Sequence, residues 1–177
     1  MKKILVFGGM GRFGQEICKR FTFPFAVPVA ISRHTQLNKV DWEELQGVIF
    51  SQRVRTIEQN DIWDEEINCS LSDTKLIIES RIPKEIPIIV MSSIAAERIV
   101  TEQPISYHVV KAGLNQMVRY YAFQGYRINA IAPSHLSDEE IKESTLDLIE
   151  FLLSDKAKAL TGQCITIDKG KSAAWTE

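Results

Sequence analysis

Two side chains four positions apart, Tyr107 and Lys111, carry the most legible chemistry in the sequence. Residues at i and i+4 share one face of a helix. The segment 106–124 has the spacing of one, with Val110, Leu114, Met117 and Tyr121 three and four apart. An ammonium beside a phenol favours the phenolate and pulls a tyrosine below its ordinary value of about 10. Tyr107 would then act as a general acid toward a carbonyl oxygen, or as a base toward an alcohol. Ser93 ends a Ser92–Ser93 pair after the apolar run 87–91, placed to hydrogen-bond the same oxygen. His108 adjoins Tyr107 but points about 100° away around a helix, so it reads as a packed or surface histidine. No GxSxG elbow surrounds Ser93, which removes the serine-hydrolase reading.

A second constellation lies at the N-terminus. The apolar run Ile4 to Phe7 leads into Gly8-Gly9-Met10-Gly11-Arg12-Phe13-Gly14, which contains both GxxGxxG and GxGxxG. Glycines allow a tight turn, admit a pyrophosphate close to backbone N–H groups, and let helix and strand pack closely. The helix that follows adds a partial positive charge at its N-terminus. The next apolar run ends Ile31-Ser32-Arg33, with no carboxylate to hold a ribose 2′-hydroxyl. Ser32 and Arg33, with Arg12, suit a 2′-phosphate, so the residues point to NADP(H) ahead of NAD(H).

The elements that must position these residues alternate along the chain. Apolar runs at 4–7, 26–31, 47–50, 87–91, 127–132 and 164–167 read as strands, with Pro28 arguing against a central position for the second. Helices are expected over 12–21, 61–81, 106–124 and from Ser137 to about Leu153. Ile67, Leu71, Thr74 and Ile78 form the inward stripe of the second helix. Gly125 stops the third, and Ser137 with Glu140 makes a capping box for the fourth. Strand and helix in alternation imply a three-layer α/β Rossmann fold, with a parallel sheet of about six strands covered on both faces. No repeat or linker interrupts the pattern, so 1–177 reads as one nucleotide-binding domain.

Composition excludes other classes. The 177 residues are 45% hydrophobic and 25% charged, with a net charge of −2. Nothing there calls for nucleic acid or a membrane as partner. Cys18, Cys69 and Cys164 are too few and too scattered for a disulfide framework or a metal site, which suggests a reducing, cytoplasmic setting.

The order of glycine turn, Asn68, Ser92–Ser93 and Tyr107-x-x-x-Lys111 resembles the short-chain dehydrogenase/reductase family over nearly the whole chain. The resemblance makes Ser93 the catalytic serine and Tyr107 the catalytic tyrosine. Lys111 becomes the lysine that also binds the nicotinamide ribose, and Asn68 the asparagine that holds a proton-relay water. It adds Phe13 and Ser51 to the cofactor site and turns Pro133, after Arg127-Ile128-Asn129-Ala130-Ile131-Ala132, toward the nicotinamide. Residues 151–155, 161–163 and 168–170 resemble the family's C-terminal signature. The departures are equally specific. Phe7 and Arg12 replace a Thr and a Gly of the commonest glycine motif, and Ser51-Gln52-Arg53 replaces an NNAG turn. Ser134 replaces a glycine after Pro133. A strand and helix are missing between Arg33 and Gly47, and no long lid separates Pro133 from the capped helix.

Three functions follow from the resemblance. The first is an NADP(H)-dependent oxidoreductase interconverting a carbonyl and an alcohol, with an open pocket for a bulky or carrier-bound substrate. The second is a cofactor-binding regulator or scaffold. The third is an epimerase or dehydratase using the same Tyr–Lys pair. A homodimer or homotetramer is also expected, through the helix bearing Val109, Val118 and Tyr120.

Overall fold

Strands that are apolar along their whole length must be covered on both faces, and the structure, a computed structural model, covers them so. It describes residues 2–21, 26–32, 35, 37–54 and 62–173. The elements run β1 (Lys3–Phe7), α1 (Arg12–Arg20), β2 (Val27–Ile31), β3 (Leu45–Phe50), α2 (Trp63–Ile67), a π-helical turn (Asn68–Ser72), α3 (Asp73–Arg81), β4 (Ile88–Met91), α4 (Ile105–Phe123), β5 (Ile128–Pro133), α5 (Glu139–Leu153) and β6 (Cys164–Ile167). All six strands are parallel, in the order β2-β1-β3-β4-β5-β6. Winding reverses between β1 and β3, and the C-terminal ends of those strands form the crevice where such sheets bind ligands. This is a Rossmann-type α/β fold.

Alternation along β1 divides the core. Leu5 and Phe7 pack with Val48, Phe50, Ile77, Ile78, Val110, Leu114 and Val118 under α3 and α4. Ile4 and Val6 pack with Ile17, Ile49, Ile89, Leu146, Ile149 and Leu152 under α1 and α5. Pro28 is accommodated because β2 is the edge strand. Among the described residues between β2 and β3 a 3-10 turn at Leu37–Lys39 is the one element, with no further strand or helix.

Three expectations need correction. Asp138, not Ser137, caps α5: its Oδ1 accepts from the N–H groups of Glu140 (3.1 Å) and Ile141 (3.3 Å). Val118 is fully buried in the core, so the outer face of α4 is Ile105, Val109, Tyr120 and Phe123. The helix expected over 61–81 is not regular, because a π turn interrupts it, and Asp61 lies outside the described residues. Among the described residues no helix is long and apolar enough to cross a membrane.

Candidate active site

The glycine turn closes against its neighbours so tightly that side chains are excluded. Gly8 adopts φ +79°, and a Cβ there would sit 2.6 Å from the Gln52 nitrogen. A Cβ at Gly9 would sit 2.7 Å from the Ala30 methyl, and one at Gly14 only 2.2 Å from the Gly8 carbonyl oxygen. The Gly8 N–H donates to Ile31 (2.8 Å) and the Gly11 N–H to Gly8 (2.8 Å), which pins the turn to the ends of β1 and β2. Gly11 then caps α1 with backbone alone, and the first turn holds no acidic residue. Its N–H groups and partial positive charge are left for an external anion. This cradle fits the diphosphate of a dinucleotide.

Just after β2, Ser32 is tied into a turn: its N–H donates to Thr35 Oγ1 (2.9 Å). Arg12 is exposed at the start of α1. Arg33 lies outside the described residues. Ser51 donates its N–H to Phe7 O (2.8 Å), beside Gly8. Phe13 is half-buried against the core beneath α1, rather than at the surface of the turn. Pro133 is buried at the end of β5.

Ser93 and Tyr107 line one cleft of about 210 Å³, together with Val100, Glu102, Gln103, Ser134 and His135. Ser93 is buried at the end of β4 and its Oγ accepts from the Ala95 N–H (3.2 Å). Tyr107 is half-buried on the first turn of α4. One turn on, Lys111 is 5% exposed, its Nζ 5.4 Å from the Tyr107 ring centroid. That Nζ donates to the Met91 carbonyl (2.7 Å), and Ser92 Oγ donates to the Lys111 carbonyl (3.4 Å), so β4 grips α4 at two points. Burial pushes the Lys111 ammonium down to about 8; Glu66 and Cys69 pull it up, and Arg53 pushes it further down. His108 is held by backbone at both ring nitrogens: Nε2 accepts from Val100 (2.9 Å) and Nδ1 donates to Pro104 (2.9 Å).

Asn68 is not gathered into this group. It opens the π turn with its side chain exposed. The inward polar positions are Glu66 and Ser70, each 2% exposed. Two residues on a helix turn through about 200°, so Asn68 faces away from both of them. The π turn has a local cause. Gln52 Nε2 donates to the Cys69 carbonyl (3.3 Å) and to Thr74 Oγ1 (2.8 Å), taking an acceptor from the helix ladder.

Two residues that sequence reasoning missed belong here. Arg53 places its guanidinium 4.4 Å from the Tyr107 ring centroid, and its Nη2 donates to Gln103 Oε1 (2.7 Å). Glu66 Oε2 accepts the Val54 N–H (3.0 Å). The available signal was the spacing Glu66, Ser70, Thr74, a polar stripe at helical period on the buried side.

One dinucleotide-type fold thus carries a glycine turn that opens α1 at the switch point of its sheet, and a cleft lined by Ser93 and Tyr107 with Lys111 one turn further along α4. Residues 59–146 match the family model described as enoyl-(acyl carrier protein) reductase. The fold is shared with an aldohexose dehydrogenase of Thermoplasma acidophilum (TM-score 0.77, 17% identity, covering 99% of this chain and 96% of that one). It is shared with BdcA in complex with NADPH (0.73, 17%, 94% and 93%). A Brucella ovis short-chain dehydrogenase/reductase with a partially ordered NAD also matches (0.75, 16%, 94% and 99%). No curated protein matches the chain by sequence. The chain belongs to the short-chain dehydrogenase/reductase family, as a short, six-stranded member.

Proposed function

We propose that the chain is an NADP(H)-dependent oxidoreductase that interconverts a carbonyl and an alcohol. The observation that carries this reading is the convergence of Ser93 and Tyr107 on one cleft, with Lys111 buried behind them. Gly8, Gly9, Gly11 and Gly14 would hold the diphosphate. Arg12, Ser32 and Arg33 would favour a 2′-phosphate over a free hydroxyl, and Ser51 and Pro133 would flank the cofactor. When bound, a nicotinamide supplies or accepts the hydride.

The chain's own residues handle the proton. Tyr107 donates it to the carbonyl oxygen in reduction and removes it from the alcohol in oxidation. Ser93 donates a hydrogen bond to the same oxygen. Lys111, as an ammonium, stabilises the phenolate left on Tyr107. Among the described residues the short 134–138 connection offers no lid over the cleft, which suits a small carbonyl presented on a bulky group or carrier. The outer face of α4, with Ile105 and Phe123 63% and 88% exposed, suits assembly into a homodimer or homotetramer.

Quenching or enhancement of NADPH and NADH fluorescence, followed by a carbonyl panel with Tyr107→Phe as control, tests the reading. Tighter binding of NADH would overturn the cofactor preference. Binding without turnover would favour the regulator reading, for which the Arg53 guanidinium seated over Tyr107 is the supporting observation.

A further inference from the structure

A lysine ammonium has three donors. In the protein, Lys111 spends one on the Met91 carbonyl and is almost entirely removed from water. A cation so placed needs a buried anion to stay charged. Glu66 is 2% exposed on α2, where that helix packs on α4. One carboxylate oxygen takes the Val54 N–H, and the other, Oε1, is buried with no protein partner. Ser70 Oγ, one turn further along the same face, is buried and without a partner too. Both lie on the buried side of α2 and the π turn, the two elements that pack on α4, the helix that carries Lys111.

We propose that Glu66 is a positioning residue for the site described above: its carboxylate is the buried counter-ion that keeps Lys111 protonated, and so keeps Tyr107 next to a cation. The role deepens the acid–base reading and rests on it. The other groups facing Lys111 are Arg53 from the loop after β3, Cys69 from the π turn and Tyr107 from α4 itself. Arg53 opposes protonation of Lys111, while Glu66 and Cys69 favour it.

A purely structural role, anchoring the Val54 backbone, predicts something different. Glu66→Gln keeps an oxygen for the Val54 N–H and removes only the charge. The test is an NMR titration of the full chain labelled with carbon-13 at lysine Cε, with the Lys111 signal assigned by Lys111→Met. The Lys111 midpoint, near 8 in the parent chain, is expected to fall by about one pH unit or more in Glu66→Gln. A midpoint within about 0.3 of the parent would overturn the proposal. Should Glu66→Gln fail to fold, Glu66→Asp, which withdraws the charge by one methylene, is read the same way: a lower midpoint supports the counter-ion role and an unchanged one overturns it. The titration needs no substrate. A midpoint that moves in a chain that reduces no carbonyl would therefore remove the oxidoreductase reading and leave the counter-ion standing.

Discussion

Lys111→Met should trade activity for stability, and the trade should depend on pH in a calculable way. The folded protein holds Lys111 near 8, against an ordinary 10.5, chiefly because of burial. Between those values the unfolded chain binds a proton that the folded chain does not, so stability rises with pH through that window. Below about 8 both states are protonated, and the folded state carries the full desolvation cost. The gap corresponds to about 3 kcal/mol, a sizeable share of the roughly 5–15 kcal/mol by which domains are stable. Methionine has a similar length and no charge, so the variant lacks the term. It also leaves the Met91 carbonyl without its donor, but that loss does not vary with pH. Urea unfolding of both proteins from pH 7 to 10 is the assay. The stability of Lys111→Met relative to the parent should decline by about 2–3 kcal/mol as the parent's lysine discharges. A difference that stays flat across the range would show that Lys111 titrates alike in both states, and the burial argument would be wrong.

Four further outcomes are expected. Tyr107→Phe should lower kcat by about 10²-fold or more while NADPH affinity, read by fluorescence, changes little. Gly14→Ala, whose methyl would press on the Gly8 carbonyl at 2.2 Å, should lower stability by about 1–3 kcal/mol and abolish dinucleotide binding in the same titration. Arg53→Met removes the cation that opposes Lys111, so the Lys111 midpoint should move up. Asp138→Ala should lower Tm by freeing the first amides of α5, whereas Ser137→Ala should not, since the cap belongs to Asp138.

Much of this was legible in the sequence because strands buried on both faces leave uninterrupted apolar runs. Ile4 to Phe7 and the run ending at Met91 are read from composition alone, and the latter brings Ser92 and Ser93 to the end of β4. Pro28 likewise announced an edge strand. What failed to show depends on small rotations. Helical period assigns Ile67, Leu71 and Ile78 inward, but it cannot foresee that Gln52 takes the Cys69 carbonyl and widens the turn. Asn68 has the chemistry expected of a site residue and faces out; Glu66 is a residue type usually left at the surface and is buried. Ser137 and Asp138 are both good caps, and only the backbone path decides that the carboxylate reaches two amides. Arg53 sits in a segment with no periodicity, so its approach to Tyr107 follows from tertiary packing alone.

Gln52 has one further consequence. Its backbone forms the wall against which Gly8 closes, and its side chain holds open the π turn between Glu66 and Thr74. One residue therefore touches the phosphate cradle on one side and the helix behind Lys111 on the other. A substitution at position 52 therefore reaches two places at once: the wall behind Gly8 and the two side-chain hydrogen bonds at the π turn.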